Sequence, residues 1–328
     1  MDYVDSELKP VSESVKNKFI DLENHLQALS RQGEVLLLYR GEELRNIKKR
    51  LLKQNFFRKE NEIYERAFYF GDKARHFSVD VFMPGRSHLM NIRDESDQTF
   101  MFIHSRICNI LNEPKLSTRV EKYTDDKFRR YFLSPGSDVD FLEKVKSCYT
   151  DRTKVNVRDY YLYFLHVAGT PGIRKETMLV STSKDKSTAI QFSESTKKER
   201  VILHYFIPAP FQDYAIGPWE IEHHKKVIYA TGLPSYYPKG LYPEQNEIAV
   251  KGALFPHFLL GIELAGKNKF IINTNFINAD NINNIESIAR RGFNIDQQDF
   301  EKNIFDTGYI RYGEIDGMRE FSSYDVLK

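Results

Sequence analysis

The stretch 242–263, YPEQNEIAVKGALFPHFLLGIE, constrains the fold of this chain more than any other. It contains two short apolar runs, Ile248–Val250 and Phe258–Ile262, which a Lys-Gly pair and a Pro separate. Short β-rich runs that meet at such a break predict neighbouring strands rather than one helix. In an extended segment, Gln245 and Glu247 would point to the same face. An amide and a carboxylate at the mouth of a buried strand are ordinarily solvated, so the rest of the chain must decide their role.

Composition places the chain among folded globular proteins. Hydrophobic residues make up 41% and aromatic residues 13% of the 328 residues, enough for a large core in one or two domains. A net charge of +2 is too small to predict nucleic-acid binding by itself. Cys108 and Cys148 lack a metal-like or CxxC spacing, so we expect no disulfide, no metal and a reducing compartment. Without a visible signal peptide or membrane-length apolar segment, we expect a cytoplasmic protein with no membrane partner.

Hydrophobic periodicity predicts a mixture of helices and strands. An amphipathic helix at 11–31 precedes a buried strand at 34–40, and a basic amphipathic helix follows at 42–59. The other predicted elements are helices near 97–112, 138–150 and 186–192, and strands at Tyr160–Val167, Thr177–Val180, Val201–Pro208 and Lys269–Ile272. The fold class is therefore predicted to be α+β. His76, His88 and His104 are scattered, and we interpret each as structural.

Polar residues at strand ends are the candidates for chemistry. Arg40 is predicted to end its strand, where its planar fork suits carboxylate or diphosphate oxygens, although such an arginine is ordinarily in a structural ion pair. Gly41 would let a ligand approach the backbone closely. The hydroxyls of Ser181, Thr182 and Ser183 end another strand, where they can orient a carboxylate or cap the next helix.

Two further stretches suggest contacts with a partner. The basic helix at 42–59 is either a solvated face or an electropositive wall for a polyanion. Residues 217–243 are interpreted as an exposed insertion that carries aromatic side chains. Its aromatic residues include Trp219, Tyr236, Tyr237 and Tyr242.

Taken in order, Arg40, Ser181-Thr182-Ser183 and Gln245-x-Glu247 resemble the mono-ADP-ribosyltransferases of the Arg/Ser-Thr-Ser/Glu type, which include many bacterial toxins. The resemblance covers roughly residues 15–275 and is sharpest over 171–263. It implies an ADP-ribosyltransferase-like split β-sandwich core with helices, in a single catalytic domain at 1–275. Because Arg40 lies further from Ser181 than in most of the family, 60–165 is interpreted as an enlarged insertion. Residues 276–328 are interpreted as a C-terminal extension.

The resemblance implies an enzyme that uses NAD as a substrate and needs no metal. Such enzymes cleave the nicotinamide–ribose bond through an oxocarbenium-like state, mainly by positioning and electrostatic stabilisation. It implies that Glu247 hydrogen-bonds the ribose and stabilises the developing charge, that Ser181 orients Glu247, and that Thr182 and Ser183 support the strand end. The other residues expected to contact NAD are Arg40 at the diphosphate, Gly41 at the nicotinamide amide, and Phe192 in the helix behind the Ser-Thr-Ser strand.

The same resemblance bears on the acceptor. A Gln at position 245, where arginine-modifying enzymes have Glu, implies an asparagine amide or a nucleobase amino group, because an amide both donates and accepts. Tyr236, Tyr237 and Tyr242 would bind the acceptor by stacking or packing. The basic helix slightly favours a nucleobase in RNA or DNA over a protein side chain. An NAD glycohydrolase and a binding module without activity are the alternatives, and an active toxin would require an inhibitor protein or controlled delivery.

Overall fold

The computed structural model describes residues 1–52, 61–73, 95–193, 199–237, 245–254, 258–274 and 277. These residues divide into two compact units. Unit 1 contains residues 1–52, 61–73, 181–193, 199–213, 253–254, 258–274 and 277, and unit 2 contains residues 95–180, 214–237 and 245–252.

Strands lie mainly near the two ends of the described residues, and six helices follow one another between Lys73 and Leu179. In chain order they are β1 (Asp2–Val4), α1 (Glu13–Arg31), β2 (Val35–Glu43), α2 (Leu44–Leu52), α3 (Asn61–Phe70), β3 (Asp72–Lys73), α4 (Asp97–Leu111), α5 (Thr118–Tyr123), α6 (Asp126–Leu133), α7 (Ser137–Lys146), α8 (Asp151–Ala168), α9 (Pro171–Glu176), β4 (Leu179–Ser183), α10 (Lys186–Ser193), β5 (Arg200–Pro208), a 3-10 helix (Ala209–Tyr214), β6 (Ala215–Ile216), α11 (Pro218–Thr231), β7 (Glu247–Lys251), β8 (Ala253–Leu254), β9 (Leu259–Ala265) and β10 (Lys269–Ile272). The α+β class is confirmed.

Local signals explain the boundaries of α1. The hydroxyl oxygen of Ser12 accepts a hydrogen bond from the backbone N–H of Val15 at 3.3 Å, which caps the first turn. After the helix, Gly33 adopts φ 77°, a left-handed conformation that favours glycine. The side chains buried by the helix recur every three or four residues: Phe19, Leu22, Leu26 and Leu29. The helix predicted at 11–31 is therefore confirmed.

The sheet of unit 1 has the strand order β1-β10-β9-β5-β2-β4. β2 and β5 pair antiparallel along nine residues, from Val35 opposite Pro208 to Glu43 opposite Arg200. The strands predicted at 34–40, 201–208 and 269–272 are confirmed. The prediction that Arg40 ends its strand is wrong, because β5 provides pairing partners as far as Glu43. Arg40 and Gly41 therefore lie inside β2.

Unit 2 is mainly helical. Its sheet contains the first residues of β4, then β7 and β6 in strand order, and β7 pairs antiparallel with β6. The backbone N–H of Gly252, just after β7, donates to the carbonyl of Met178, just before β4, at 2.7 Å. β4 crosses the boundary between the units, so Leu179 and Val180 belong to unit 2 and the Ser-Thr-Ser segment belongs to unit 1.

The prediction of a strand at Tyr160–Val167 is wrong, because these residues form the second half of α8. The run is rich in aromatic and β-branched residues and is buried on all sides, so it has no polar face to reveal a helical period. Thr150 and Thr153 form a reciprocal cap that begins the helix at Asp151, nine residues before the apolar run. The local start signal and the packing of unit 2 thus outweigh the β-propensity of the run.

The stretch 217–243, which the sequence predicts to be an exposed insertion, contains the helix α11 at Pro218–Thr231, and its aromatic side chains differ in exposure. Trp219 is 71% exposed and Tyr237 is 54% exposed, but Tyr236 is only 1% exposed. The Tyr236 hydroxyl donates to the carbonyl of Tyr160 at 2.9 Å. The rings that surround Tyr236 are those of Tyr123, Phe128, Tyr160 and Phe164.

The remaining helix predictions near 97–112, 138–150 and 186–192 are confirmed by α4, α7 and α10. The strand predicted at Thr177–Val180 is present but begins at Leu179, because Thr177 is the C-cap of α9 and Met178 adopts φ 56°. His104 is structural as predicted, since its Nε2 lies 3.0 Å from the hydroxyl of Ser137. The predictions for 53–59, His76, His88, Tyr242 and most of 276–328 lie outside the described residues. Among the described helices, none has both the length and the hydropathy required to cross a membrane.

Candidate functional site

Glu247 is the first residue of β7 and has an environment unlike that of the rest of the strand. Its side chain is 24% exposed, whereas the four residues that follow it in β7 are buried. A carboxylate that keeps access to solvent at the end of a buried strand can reach a ligand without unfolding the strand. This position matches the mouth of a buried strand that the sequence predicted.

His166, near the C-terminal end of α8, contacts this carboxylate. The Nε2 atom of His166 lies 3.3 Å from Oε1 of Glu247, and its Nδ1 atom lies 3.3 Å from Oγ1 of Thr177. The Thr177 hydroxyl donates its hydrogen to the backbone carbonyl of Arg174 at 2.7 Å. His166 and Thr177 are almost completely buried, which holds the imidazole in one orientation.

This network determines where the hydrogens lie. Because Thr177 donates its only hydroxyl hydrogen to Arg174, its oxygen must accept a hydrogen bond from Nδ1–H of His166. The Nε2 atom then carries a hydrogen only if the ring is an imidazolium. The Nε2 atom therefore faces the carboxylate of Glu247, at 3.3 Å from Oε1.

A second ion pair fixes α8 against β7. Nζ of Lys251 lies 2.6 Å from Oδ2 of Asp159, and both side chains are buried. Asp159 and His166 are seven residues apart on α8, about 10 Å, and Glu247 and Lys251 are four residues apart on β7, about 13 Å. These two distances are similar, so one pair lies at each end of the contact. The first residue of the helix pair, Asp159, contacts the last residue of the strand pair, Lys251, and the helix and the strand therefore run antiparallel. The His166–Glu247 contact is thus held by the packing of two elements.

Two arginines complete the surroundings of Glu247. Arg119, on α5, donates from Nη1 to the carbonyl of Val167 at 3.4 Å, directly beside His166. Burial lowers the pKa of the Arg174 guanidinium, and the nearby guanidinium of Arg119 lowers it further, whereas the Glu247 carboxylate acts in the opposite direction. Burial also raises the pKa of the Tyr163 hydroxyl, and the charge of Glu247 adds to that effect. Glu220 adds to the effect on Tyr163 as well, and two guanidinium groups therefore lie in the part of unit 2 that holds Glu247.

Gln245 and Glu247 are not related by strand alternation. Gln245 has 3-10 rather than extended backbone geometry, and Asn246 adopts φ 44°. A residue in the left-handed region interrupts the extended backbone, so the prediction that the two side chains share a strand face is wrong. Gln245 is partly exposed, and its role toward an acceptor stays a prediction.

Arg40, in unit 1, lies between two carboxylates. Its Nε donates to Asp72 at 2.8 Å, its Nη2 donates to Glu42 at 3.0 Å, and its Nη1 donates to the carbonyl of Ser181 at 2.6 Å. Burial by itself would lower the pKa of Arg40, but the two carboxylates outweigh burial and raise it. Arg40 and Ser181 are thus brought together, and the charge of Arg40 is already balanced within unit 1.

The other predicted residues of unit 1 have more ordinary surroundings. Gly41 lies opposite Ile202 within the paired strands, so it is a sheet residue and not a loop residue. Ser181 is partly exposed, whereas Thr182 and Ser183 are buried. The Ser183 hydroxyl accepts a hydrogen bond from the N–H of Asp185 at 2.9 Å, which forms a turn before α10 and does not cap the helix itself. Phe192 lies in α10, and its side chain is outside the described part of the chain.

The predicted acceptor tyrosines differ in their placement. The prediction that Tyr236 is an exposed stacking residue is wrong, because its ring is enclosed in the aromatic core of unit 2. Tyr237 is exposed, and its N–H donates to the carbonyl of Tyr123 at 2.9 Å. Nζ of Lys225 lies 5.9 Å from the ring centres of both Tyr229 and Tyr237, so a partly buried cation lies near two exposed rings.

Sequence reasoning missed His166, Thr177, Arg119 and Arg174. The role of His166 was missed because its run was interpreted as a strand, in which residues seven apart point to opposite faces. As a helix, the same run places these two residues two turns apart on one face. Arg119 and Arg174 have no signal of their own in the sequence, because the packing of short helices brings them to Glu247.

Among the described residues, no group of three or more His, Cys, Asp or Glu side chains is arranged to hold a metal ion. Comparisons of the chain with protein-family models, with curated proteins and with solved structures found no match.

Proposed function

We propose that this protein is a toxin-like, NAD-dependent mono-ADP-ribosyltransferase with an ADP-ribosyltransferase-like core. The observation that carries the proposal is the environment of Glu247, a partly exposed carboxylate at the start of a buried strand, held by the buried His166 at 3.3 Å. A fixed carboxylate of this kind is what an oxocarbenium-like transition state requires, because it offers negative charge without reorganisation.

The neighbours of β4 also support the proposal. β4 carries the Ser-Thr-Ser segment, and in unit 1 its neighbour is β2, which carries Arg40. In unit 2 its neighbour is β7, which begins with Glu247. Arg40 and the Ser-Thr-Ser segment are far apart in sequence, yet they lie on paired strands of unit 1.

NAD supplies the bond that breaks, and Glu247 supplies the charge that favours breaking it. As the carboxylate, Glu247 accepts a hydrogen bond from a ribose hydroxyl and stabilises the positive charge that develops as the nicotinamide–ribose bond lengthens. His166 keeps this carboxylate in one position through its contact at 3.3 Å. Ser181 is assigned the orienting role that the resemblance implies.

Arg40 has a positioning role in this proposal. Its charge is balanced by Asp72 and Glu42, and it donates to the carbonyl of Ser181. It therefore fixes the Ser-Thr-Ser strand against β2. An arginine between two carboxylates attracts a diphosphate less than an arginine whose charge is unbalanced.

The acceptor in this proposal is a nucleobase of RNA or DNA, addressed by Gln245. The exposed rings of Trp219, Tyr229 and Tyr237, with Lys225 beside two of them, support this choice, because a base stacks on aromatic side chains near a cation. An asparagine side chain of a protein is the second candidate, since a Gln amide pairs equally well with another amide.

We expect Glu247→Gln to abolish NAD cleavage while leaving the fold intact, because it removes one negative charge and almost no volume. Glu143→Gln, at an exposed position on α7, is the matched control. NAD labelled in the adenylate part is incubated with a cell lysate and each protein, and the fold is checked by circular dichroism. If Glu247→Gln retained half of the wild-type rate, the assignment of Glu247 would be rejected.

The labelled products then identify the acceptor. Label that nuclease treatment removes supports the nucleobase, and label that only protease treatment removes assigns a protein acceptor. Free ADP-ribose without a labelled macromolecule identifies a glycohydrolase. If the wild type forms none of these products, the proposed function is wrong.

A further inference from the structure

Arg174 is a half-buried arginine whose guanidinium makes no hydrogen bond or ion pair with any residue that the structure describes. The acidic residue of its own helix, Glu176, pairs with Arg106 at 2.6 Å and is not aimed at Arg174. Burying a cation without a hydrogen-bond or ion-pair partner costs free energy. A ligand of opposite charge that bound Arg174 would offset this cost.

Arg119 contributes a second guanidinium to the same place. It reaches the carbonyl of Val167 at the end of α8, and the backbone carbonyl of Arg174 receives the Thr177 hydroxyl hydrogen in the network that holds His166. The two arginines therefore flank the residues that hold Glu247. Burial lowers the pKa of the Arg174 guanidinium, and repulsion by the guanidinium of Arg119 lowers it further.

One carboxylate does not balance these charges. Glu247 is the carboxylate that acts on Arg174, and it already contacts His166. Among the residues that the structure describes, the Arg174 guanidinium has no hydrogen-bond partner and that of Arg119 has one long hydrogen bond, so both keep unused donors. Arginine forks match the oxygens of phosphate groups in geometry as well as in charge.

We propose that Arg119 and Arg174 bind a phosphate group beside Glu247. Resting on the proposed function, this group is the diphosphate of NAD, bound while Glu247 contacts the ribose. The charge of Arg40 is balanced by Asp72 and Glu42, so the diphosphate requires positive charge from other residues, and these two arginines supply it.

A nucleotide also fits the neighbours of the pair. The Tyr123 side chain is among the groups that act on Arg174, and its backbone carbonyl accepts the N–H of Tyr237. The backbone of Tyr237 thus lies beside α5, the helix that carries Arg119, and the exposed ring of Tyr237 offers a stacking surface to a nucleoside.

The test compares Arg119→Gln and Arg174→Gln with Arg152→Gln, which removes an exposed arginine of α8 as a matched control for net charge. Calorimetry measures the binding of ADP-ribose, adenosine and a short single-stranded RNA to each protein. We expect ADP-ribose affinity to fall at least about tenfold in both test variants, because each loses charge-assisted hydrogen bonds. The adenosine affinity of both test variants should equal that of the wild type. The Arg152→Gln protein should bind ADP-ribose with wild-type affinity.

Folding does not obscure this result. Arg174 makes no side-chain hydrogen bond among the described residues, and Arg119 makes one long one, so neither substitution removes a strong contact. Arg174→Lys is a second variant that keeps the charge but loses the fork. We expect its ADP-ribose affinity to lie between those of the wild type and Arg174→Gln.

The outcomes separate this inference from the proposed function. Equal ADP-ribose affinity in all variants, no ADP-ribose binding by the wild type, or arginine-dependent binding of RNA alone would each overturn the diphosphate site. NAD cleavage by the wild type in any of those cases would leave the proposed function standing. Arginine-dependent binding of ADP-ribose without NAD cleavage would retain the site and reject the transferase.

Discussion

At the scale of single residues, Thr177 sets the tautomer of His166. Its hydroxyl hydrogen goes to the carbonyl of Arg174, so its oxygen must accept from Nδ1–H of the imidazole. This leaves Nε2 to face Glu247 at 3.3 Å. The buried hydroxyl thus determines which ring nitrogen meets the carboxylate.

We expect Thr177→Val to release this constraint. Valine has nearly the same shape as threonine but cannot accept a hydrogen bond, so Nδ1 of His166 loses its partner. The ¹⁵N chemical shifts of the imidazole measure the change: Nδ1 should be protonated in the wild type, and the two nitrogens should exchange in the variant. An unprotonated Nδ1 in the wild type would contradict the hydrogen assignment.

Glu23 and Glu263 are carboxylates of unit 1 whose pKa values are shifted in opposite directions. Burial raises the pKa of Glu23 to about 7, with Lys186 opposing the rise and Glu263 adding to it. Burial would also raise the pKa of Glu263, but hydrogen bonds from His204 and Lys186 outweigh it and lower the pKa to about 2. The lysine contacts Glu263 at 2.7 Å, so one carboxylate has a strong partner and the other does not.

The two shifts have opposite consequences for stability. The pKa of Glu23 is 4.5 in the unfolded chain and about 7 in the folded protein. The stability that Glu23 contributes to the fold is therefore fully present below pH 4.5 and is lost as the pH rises through about 7. We expect Glu23→Gln to match the wild type near pH 4.5 and to be more stable at pH 8, as measured by urea unfolding. Glu263→Gln is the control with the reverse sign, because that carboxylate stabilises the fold above pH 4.5 and loses its effect as the pH falls toward about 2.

If Glu23→Gln were less stable than the wild type at pH 8, the raised pKa of Glu23 would be contradicted. Tyr3 and Tyr39 lie close enough to feel both carboxylates, because Glu23 and Glu263 both contribute to their raised pKa values, after burial. Their hydroxyls stay protonated across this pH range, so they do not change the sign of either effect.

At the scale of elements, α8 and β7 form the pair that positions Glu247. The Asp159–Lys251 pair closes one end of their contact and the His166–Glu247 pair closes the other. A helix and a strand joined at two points cannot slide past each other without breaking a buried ion pair. The geometry around Glu247 therefore depends on residues that lie outside the site itself.

We expect Lys251→Met to lower the free energy of unfolding by about 3–5 kcal/mol, because Asp159 would remain buried and charged without its partner. The double variant Asp159→Leu with Lys251→Met removes both charges and should recover most of that loss. Urea denaturation measures both variants. Equal losses in the single and double variants would mean that side-chain packing matters here more than charge.

At the scale of the whole molecule, the elements that the sequence predicted correctly are those with local causes. α1 has a serine cap, a regular apolar stripe and a terminal glycine, and each signal lies within its own segment. The strands β5 and β10 are short apolar runs with polar flanks. The α+β class follows from such segments alone.

The same local reasoning failed where burial is complete. The run at Tyr160–Val167 has no polar face, so neither a helical nor a strand period is visible, and its β-propensity favoured the wrong structure. Tyr236 was predicted to be exposed because Gly and Pro surround it in the sequence. Its ring is instead part of the aromatic core of unit 2, a position that depends on residues more than seventy positions away.

The sequence by itself determined the residue types that make Glu247, Arg40 and Ser181 candidates, because each lies on or beside an apolar strand whose pattern is local. Only the tertiary structure decided what surrounds them. It balanced Arg40 with Asp72 and Glu42, and it placed a buried imidazole against Glu247. Charge balance depends on atoms within a few ångströms of each other, and the chain brings such atoms together from segments that share no sequence signal.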